Sequence, residues 1–255
     1  MLSRTHFLQA SFNKCESHLR APGEDSQLRL APEKGQSLIF DWDGTLLDSF
    51  ASGYAAFEKV FLHFDIPFDQ ARFFEHYSPN WYRFYERMEL PPECWEEADR
   101  LWRAFYDQSR PALVCGARDV LHELYHRRYR LAVVTSGHQP RVERELHATG
   151  IHHYFQAFVY GDQVKEKKPA PEPLLRATML LRTPTDRCVY IGDAPEDMEM
   201  GKRAGAVTVA VCSPYVRDFV ALSAQADYTL KDISELLELL AKPSPPINPG
   251  VGRGY

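Results

Sequence analysis

Two carboxylates one residue apart, Asp41 and Asp43, end a short apolar run, Leu38-Ile39-Phe40, and are followed by Gly44 and Thr45. Carboxylates this close repel each other unless a cation or a shared proton offsets the charge. A hard divalent ion such as Mg²⁺ supplies that charge, held by one or two carboxylates plus substrate phosphate oxygens. Asp-x-Asp-Gly also opens a calcium loop. That loop needs an oxygen ligand at its fifth position, glycine at its sixth and glutamate at its twelfth. Counting from Asp41, these places hold Thr45, Leu46 and Ser52, so only the fifth could serve.

Three further clusters could do chemistry. Thr135-Ser136-Gly137 follows the apolar run Leu131-Ala132-Val133-Val134. A hydroxyl and backbone amides at a strand-to-helix turn suit a phosphate, although Ser and Thr are also ordinary helix caps. Lys165-Glu166-Lys167-Lys168-Pro169 is a charge run before a proline-rich helix start. Asp193 and Asp197 follow Cys188-Val189-Tyr190-Ile191 and Gly192.

These groups sit where the pattern predicts strand ends. Buried strands are predicted at 38–40, 131–134 and 188–191, and further strands at 155–160 and 207–211, the last followed by 226–229. Helices are predicted from Leu46 on through Phe64, at 139–149 with Gly150 closing it, at 174–181 and at 233–240. Alternation of strand and helix predicts a parallel α/β sheet. In such a sheet ligands bind beyond the carboxyl ends of the strands. Residues 51–112 differ. Aromatic residues recur there at helical spacing, Tyr54, Phe57, Phe61 and Phe64 and then Trp95, Trp102 and Phe105, which reads as a small helical bundle. Tyr77-Ser78-Pro79-Asn80-Trp81 breaks that pattern and predicts a loop or a kinked helix end.

The chain has 255 residues, 44% of them apolar, and a net charge of −5. That allows one large domain or a domain with an insertion. The composition carries no basic stripe of the kind nucleic acid selects, and no apolar run approaches the ~20 residues of a membrane span. The five cysteines are widely spaced without metal-ligand spacing and read as thiols of a reducing compartment, Cys188 and Cys212 inside strands. Residues 1–36 read as a flexible extension and the Pro/Gly-rich 242–255 as a disordered tail.

Phe40-Asp41-Trp42-Asp43-Gly44-Thr45-Leu46-Leu47-Asp48-Ser49 resembles the first signature motif of the haloacid dehalogenase-like superfamily, in the branch of phosphoglycolate phosphatases and β-phosphoglucomutases. Thr135-Ser136 matches its second motif, Lys168-Pro169 its third and Gly192-Asp193 with Asp197 its fourth. The resemblance implies a Rossmann-like doubly wound sheet formed by 37–50 and 113–241, with 51–112 as a helical cap. It implies a cytoplasmic, Mg²⁺-dependent phosphatase, monomeric or homodimeric, acting on a small phosphorylated metabolite. Asp41 would be the nucleophile and Asp43 the acid and base. Thr135, Ser136 and Lys168 would bind phosphate. Asp41, Asp43, Asp193 and Asp197 would bind metal, the last directly or through water. Trp81 and Arg83 are candidates to touch the substrate, and Lys165 and Lys167 read as surface charges. The alternatives are a β-phosphoglucomutase-like phosphotransferase and a non-catalytic binding protein. The presence of Asp43 speaks against a haloacid dehalogenase, and the early position of Lys59 against a phosphonate-cleaving enzyme.

Overall fold

The computed structural model describes residues 36–216 and 218–241. The expectations for residues 1–35 and for the tail 242–255 lie outside the described residues. Strand β1 (Ser37–Phe40) is buried along its whole length. It pairs in parallel with β4 (Arg130–Val134) on one side and β6 (Cys188–Gly192) on the other, so Phe40 lies beside Val133 and Ile191. With β5 (Ala157–Val159), β7 (Val207–Val211) and β8 (Tyr228–Leu230) the sheet runs β5-β4-β1-β6-β7-β8, all parallel. The chain builds outward from β1 to one edge, then restarts on its other side. This is the doubly wound order, and it opens a crevice at the carboxyl end of β1. Near-continuous apolar strands are what a sheet covered on both faces requires. One core cluster holds Leu38, Phe40, Leu131 and Val133; the other holds Ile39, Ala132, Val134 and Tyr190.

The helices α1 (Phe50–His63), α2 (Gln70–His76), α3 (Trp81–Arg87) and α4 (Trp95–Tyr106) lie between β1 and β4 in the chain. Ala98, Trp102 and Tyr106 recur every four residues on the buried side of α4 and meet Phe57, Val60 and Phe61 of α1. These helices bury a separate cluster dominated by aromatic rings. Tyr215, from the loop after β7, packs into that cluster. Its ring meets Phe50 edge-on at 5.1 Å and stacks on Tyr77 at 5.2 Å.

The sequence pattern is wrong at the start of this segment. Leu47 and Asp48 form a two-residue strand, β2, antiparallel to β3 (Ala112–Leu113), where a helix was predicted from Leu46. Two leucines carry too little pattern to separate strand from helix. The ribbon matters because it joins both ends of the helical segment beside Asp43. The remaining helices are α5 (Ala117–His126), α6 (Gln139–Ala148), α7 (Glu172–Leu181), α8 (Pro195–Ala204), α9 (Phe219–Ser223) and α10 (Glu235–Ala241). Gly150 stands at φ +69 after α6, the left-handed conformation expected of a residue closing a helix. Cys188 is a buried thiol in β6. Cys212, by contrast, lies one residue past β7 and is disulfide-bonded, against the expectation of a thiol inside a strand. No helix among the described residues is long and apolar enough to cross a membrane.

Candidate active site

Asp41 is the residue at which β1 leaves the sheet. Its N–H still donates to the Ile191 carbonyl at 2.8 Å, so its backbone is held while its side chain faces the crevice. Lys168, from the loop before α7, is buried with its ammonium 2.6 Å from Asp41 Oδ1 and 2.8 Å from Asp197 Oδ1. Burial alone would lower the lysine; the Asp197 and Asp41 carboxylates outweigh it and hold it firmly protonated. Burial pushes Asp41 up to about 7, with Asp197 and Asp43 adding to the rise and Lys168 opposing it. Asp193, one residue past β6, is pushed well above the carboxylate range by burial and by Asp41 and Asp197. Thr45 Oγ1 donates to its Oδ1 at 3.1 Å and Ser213 Oγ to its Oδ2.

Asp197 differs from the other two. Its Oδ1 accepts from Lys168 and from the Tyr190 hydroxyl at 3.0 Å. Its Oδ2 accepts from the N–H groups of Asp193 (3.2 Å) and Ala194 (3.0 Å) at the start of α8. A carboxylate has about four acceptor positions, and all are used. Oxygens of Asp41, Asp193 and Asp197 nevertheless lie within 4.8 Å of one another. Three buried carboxylates gather beside one ammonium, and burial together with the neighbouring carboxylates pushes Asp41 and Asp193 up. A divalent cation fits that deficit, and an all-oxygen donor set suits a hard ion.

On the neighbouring strand, Thr135 follows β4. Its Oγ1 accepts from the Gly137 N–H at 3.0 Å, which leaves the hydroxyl proton free to donate. Ser136 Oγ is buried without a hydrogen-bond partner. Gly161 lets this turn come close, because a Cβ there would collide with the Ser136 carbonyl.

Asp43 is held by Arg141 of α6. Nη1 donates to Oδ1 at 3.0 Å and Nη2 to Oδ2 at 2.6 Å, while Nη1 also reaches Glu145 Oε2 at 3.1 Å. Trp42 Nε1 donates to the same Glu145 oxygen at 2.8 Å. Burial would raise Asp43, but the guanidinium outweighs it and holds the carboxyl below its usual range. The guanidinium also lies over the rings of Trp102 (5.7 Å) and Tyr106 (5.1 Å) of α4. Sequence reasoning missed Arg141 and Glu145. At i,i+4 on a helix they read as an ordinary solvated pair. Ser213 was missed too, although its place just past β7 was a usable signal.

A cavity of ≈ 460 Å³ joins these groups, with Asp41, Asp43, Thr135, Ser136 and Asp193 on its wall. Trp81, Arg83, Trp102 and Tyr106 line it from the helical segment, so both residues singled out there face the cavity. Lys168 and Asp197 join this wall through the ammonium's contact with Asp41. The helical segment is seated on the sheet by Ser78 Oγ on Glu196 Oε1 at 2.8 Å and by Arg144 on Asp107 at 2.6 Å. Lys167 lies over the Tyr82 ring at 4.7 Å, a contact across the two parts rather than a bare surface charge.

Fold and site define a parallel α/β enzyme built around an aspartate at a strand end. The chain belongs to the haloacid dehalogenase-like hydrolase family, which matches residues 38–211. A pyrophosphatase PpaX of Listeria monocytogenes is 27% identical over 209 residues, 80% of this chain and 95% of that one. A phosphoglycolate phosphatase of Aquifex aeolicus is 28% identical over 215 residues, again 80% and 95%. The crystal structure of a predicted phosphoglycolate phosphatase from Haemophilus somnus shares the fold, with a TM-score of 0.72, 20% identity and coverage of 82% and 99%.

Proposed function

We propose that this hydrolase is a Mg²⁺-dependent phosphatase that cleaves a small phosphate monoester through a phosphorylated Asp41. The observation that carries the reading is the buried contact of Lys168 with Asp41, one strand away from the unpaired Ser136 hydroxyl and from Thr135, whose hydroxyl proton is free to donate. An anion placed between them meets donors on two sides and a nucleophile on the third. The relatives named as a pyrophosphatase and a phosphoglycolate phosphatase support phosphate chemistry.

Asp41 attacks phosphorus, and the bond to the leaving oxygen breaks. Lys168, the Thr135 hydroxyl and the Ser136 N–H hold the equatorial oxygens, where charge gathers. Mg²⁺, held by the Asp41 carboxylate, the Asp43 carbonyl and Asp193, would neutralise part of that charge. Asp197 has no free acceptor position and acts by fixing Lys168 and the start of α8. Asp43 protonates the leaving oxygen, then takes a proton from the water that cleaves phospho-Asp41 and releases phosphate. Its pairing with Arg141 favours the base form, which the second step needs, and works against the acid form that the first step uses. The helical segment covers the reacting groups and excludes stray water, with Trp81 and Arg83 facing the leaving group.

Phosphate release from a panel of monoesters and pyrophosphate, with Mg²⁺ or EDTA and with Asp41→Asn alongside, tests this. Magnesium-dependent turnover abolished in the variant is expected. No release from any substrate by a folded, magnesium-bound protein would overturn it.

A further inference from the structure

Helix α6 carries titratable groups on two faces. Arg141 and Glu145 point inward to Asp43. Glu143 and His147, one turn apart, face outward, and His152 of the turn after the helix joins them. Glu143 Oε2 lies 3.7 Å from His147 Nε2 and 3.4 Å from His152 Nε2. One ligand atom from each residue lies within 4.8 Å of the others.

These separations are long for hydrogen bonds, which centre near 2.9 Å. They approach the ~3.3 Å between neighbouring ligands on a tetrahedral ion with bonds of ~2.0–2.1 Å. The carboxylate is also pre-set. The Tyr160 hydroxyl donates to Glu143 Oε1, which leaves Oε2 turned to the two imidazoles. A hydrogen bond such as that from Tyr160 orients a ligating carboxylate. The His152 ring stacks on His147 at 4.5 Å and 10° and on Phe158 at 4.7 Å and 20°, so one imidazole turns when both lone pairs meet a common ion. All three side chains are at least partly exposed, so an ion has a way in and room for water as its fourth ligand.

We propose that Glu143, His147 and His152 form a binding site for a Zn²⁺-class divalent cation, separate from the catalytic centre. Two imidazoles and one carboxylate select zinc, nickel or cobalt over magnesium, which prefers oxygen. The bound ion ties the end of α6 to the turn that follows it.

Calorimetric titration of Zn²⁺ into the full chain, in excess Mg²⁺ to fill the acidic site, tests the proposal. Wild type is compared with His147→Ala/His152→Ala and with His122→Ala/His126→Ala. The second pair carries the other close histidine contact, 3.1 Å between Nε2 atoms. Wild type and the His122/His126 variant should bind one more Zn²⁺ than the His147/His152 variant, or bind it at least tenfold more tightly. That variant, altered at exposed positions, should keep its circular dichroism and its Mg²⁺-dependent turnover. Equal zinc stoichiometry and affinity in all three proteins, or loss only in the His122/His126 variant, would overturn the site.

Discussion

Arg141 grips Asp43 with both arms of its guanidinium, at 3.0 and 2.6 Å, from inside a sleeve made by Trp102, Tyr106 and Glu145. The sleeve mixes helical segment and sheet-bearing core. A side chain at residue 137 would collide with the guanidinium, so Gly137 is part of the arrangement. A flat, two-armed donor matches a carboxylate in a way an ammonium does not.

Arg141→Ala should therefore lower kcat by about 100-fold, within the range general acid–base catalysis contributes. Arg141→Lys should recover only part of it. The guanidinium holds Asp43 low, so its loss lets the carboxyl rise, and the acidic limb of the kcat–pH profile should move to higher pH. A profile shifted downward or unmoved would show that Arg141 does not set the state of Asp43. Steady-state kinetics across pH on the best substrate of the panel decides this.

Asp193 and Asp197 should part company in magnesium titrations. Asp193 is free to coordinate, and Asp193→Asn should abolish measurable Mg²⁺ binding by calorimetry. Asp197 is committed to Lys168, Tyr190 and two backbone amides. Asp197→Asn should weaken Mg²⁺ only by about 10–100-fold, the usual effect of losing a supporting group. Equal loss in both would make Asp197 a direct ligand.

Magnesium should stabilise the fold more at neutral than at acid pH. Asp41 moves from an ordinary 3.8 to about 7 in the folded protein. A group raised in this way contributes stability that is full below 3.8 and lost as pH climbs through 7. Without Mg²⁺, that contribution falls across this window, and a bound cation offsets the loss. At pH 8 and a hundredfold excess over Kd, Mg²⁺ should raise Tm by roughly 5–10 °C. At pH 5 the shift should be smaller. Thermal scans at both values check it; an equal or larger shift at pH 5 would refute it.

Gly44→Ala should damage both stability and the site. Gly44 stands at φ +84, and a Cβ there would strike the Asp193 carboxylate and lie 2.7 Å from the Tyr215 ring. A cost of about 1–3 kcal/mol is expected from a strained backbone of this type. Urea unfolding measures it, and Mg²⁺ affinity should fall in the same variant.

The sheet was legible because its strands are short apolar runs, three of which end in chemistry: Asp41 after β1, Thr135 after β4, Asp193 after β6. Position in the chain gave position in the crevice. The β2–β3 ribbon was not legible, since its partners are far apart in sequence and two residues long. Arg141 was hidden for another reason. Its burial follows from aromatic rings on α4, and no local pattern reports a contact between distant helices. Lys167 looked like solvent charge for the same cause, its partner Tyr82 lying in α3.

Tyr215 gives the helical segment a history as well as a shape. The aromatic cluster of residues 50–106 takes its ring from a loop made long after that stretch has left the ribosome. During vectorial synthesis the four helices can gather early, but the cluster stays one ring short until β7 and its loop emerge. The segment cut out as an independent piece would carry the same vacancy. Completion of the cover over Asp41 thus waits until the strands leading to Asp193 and Ser213 have been made.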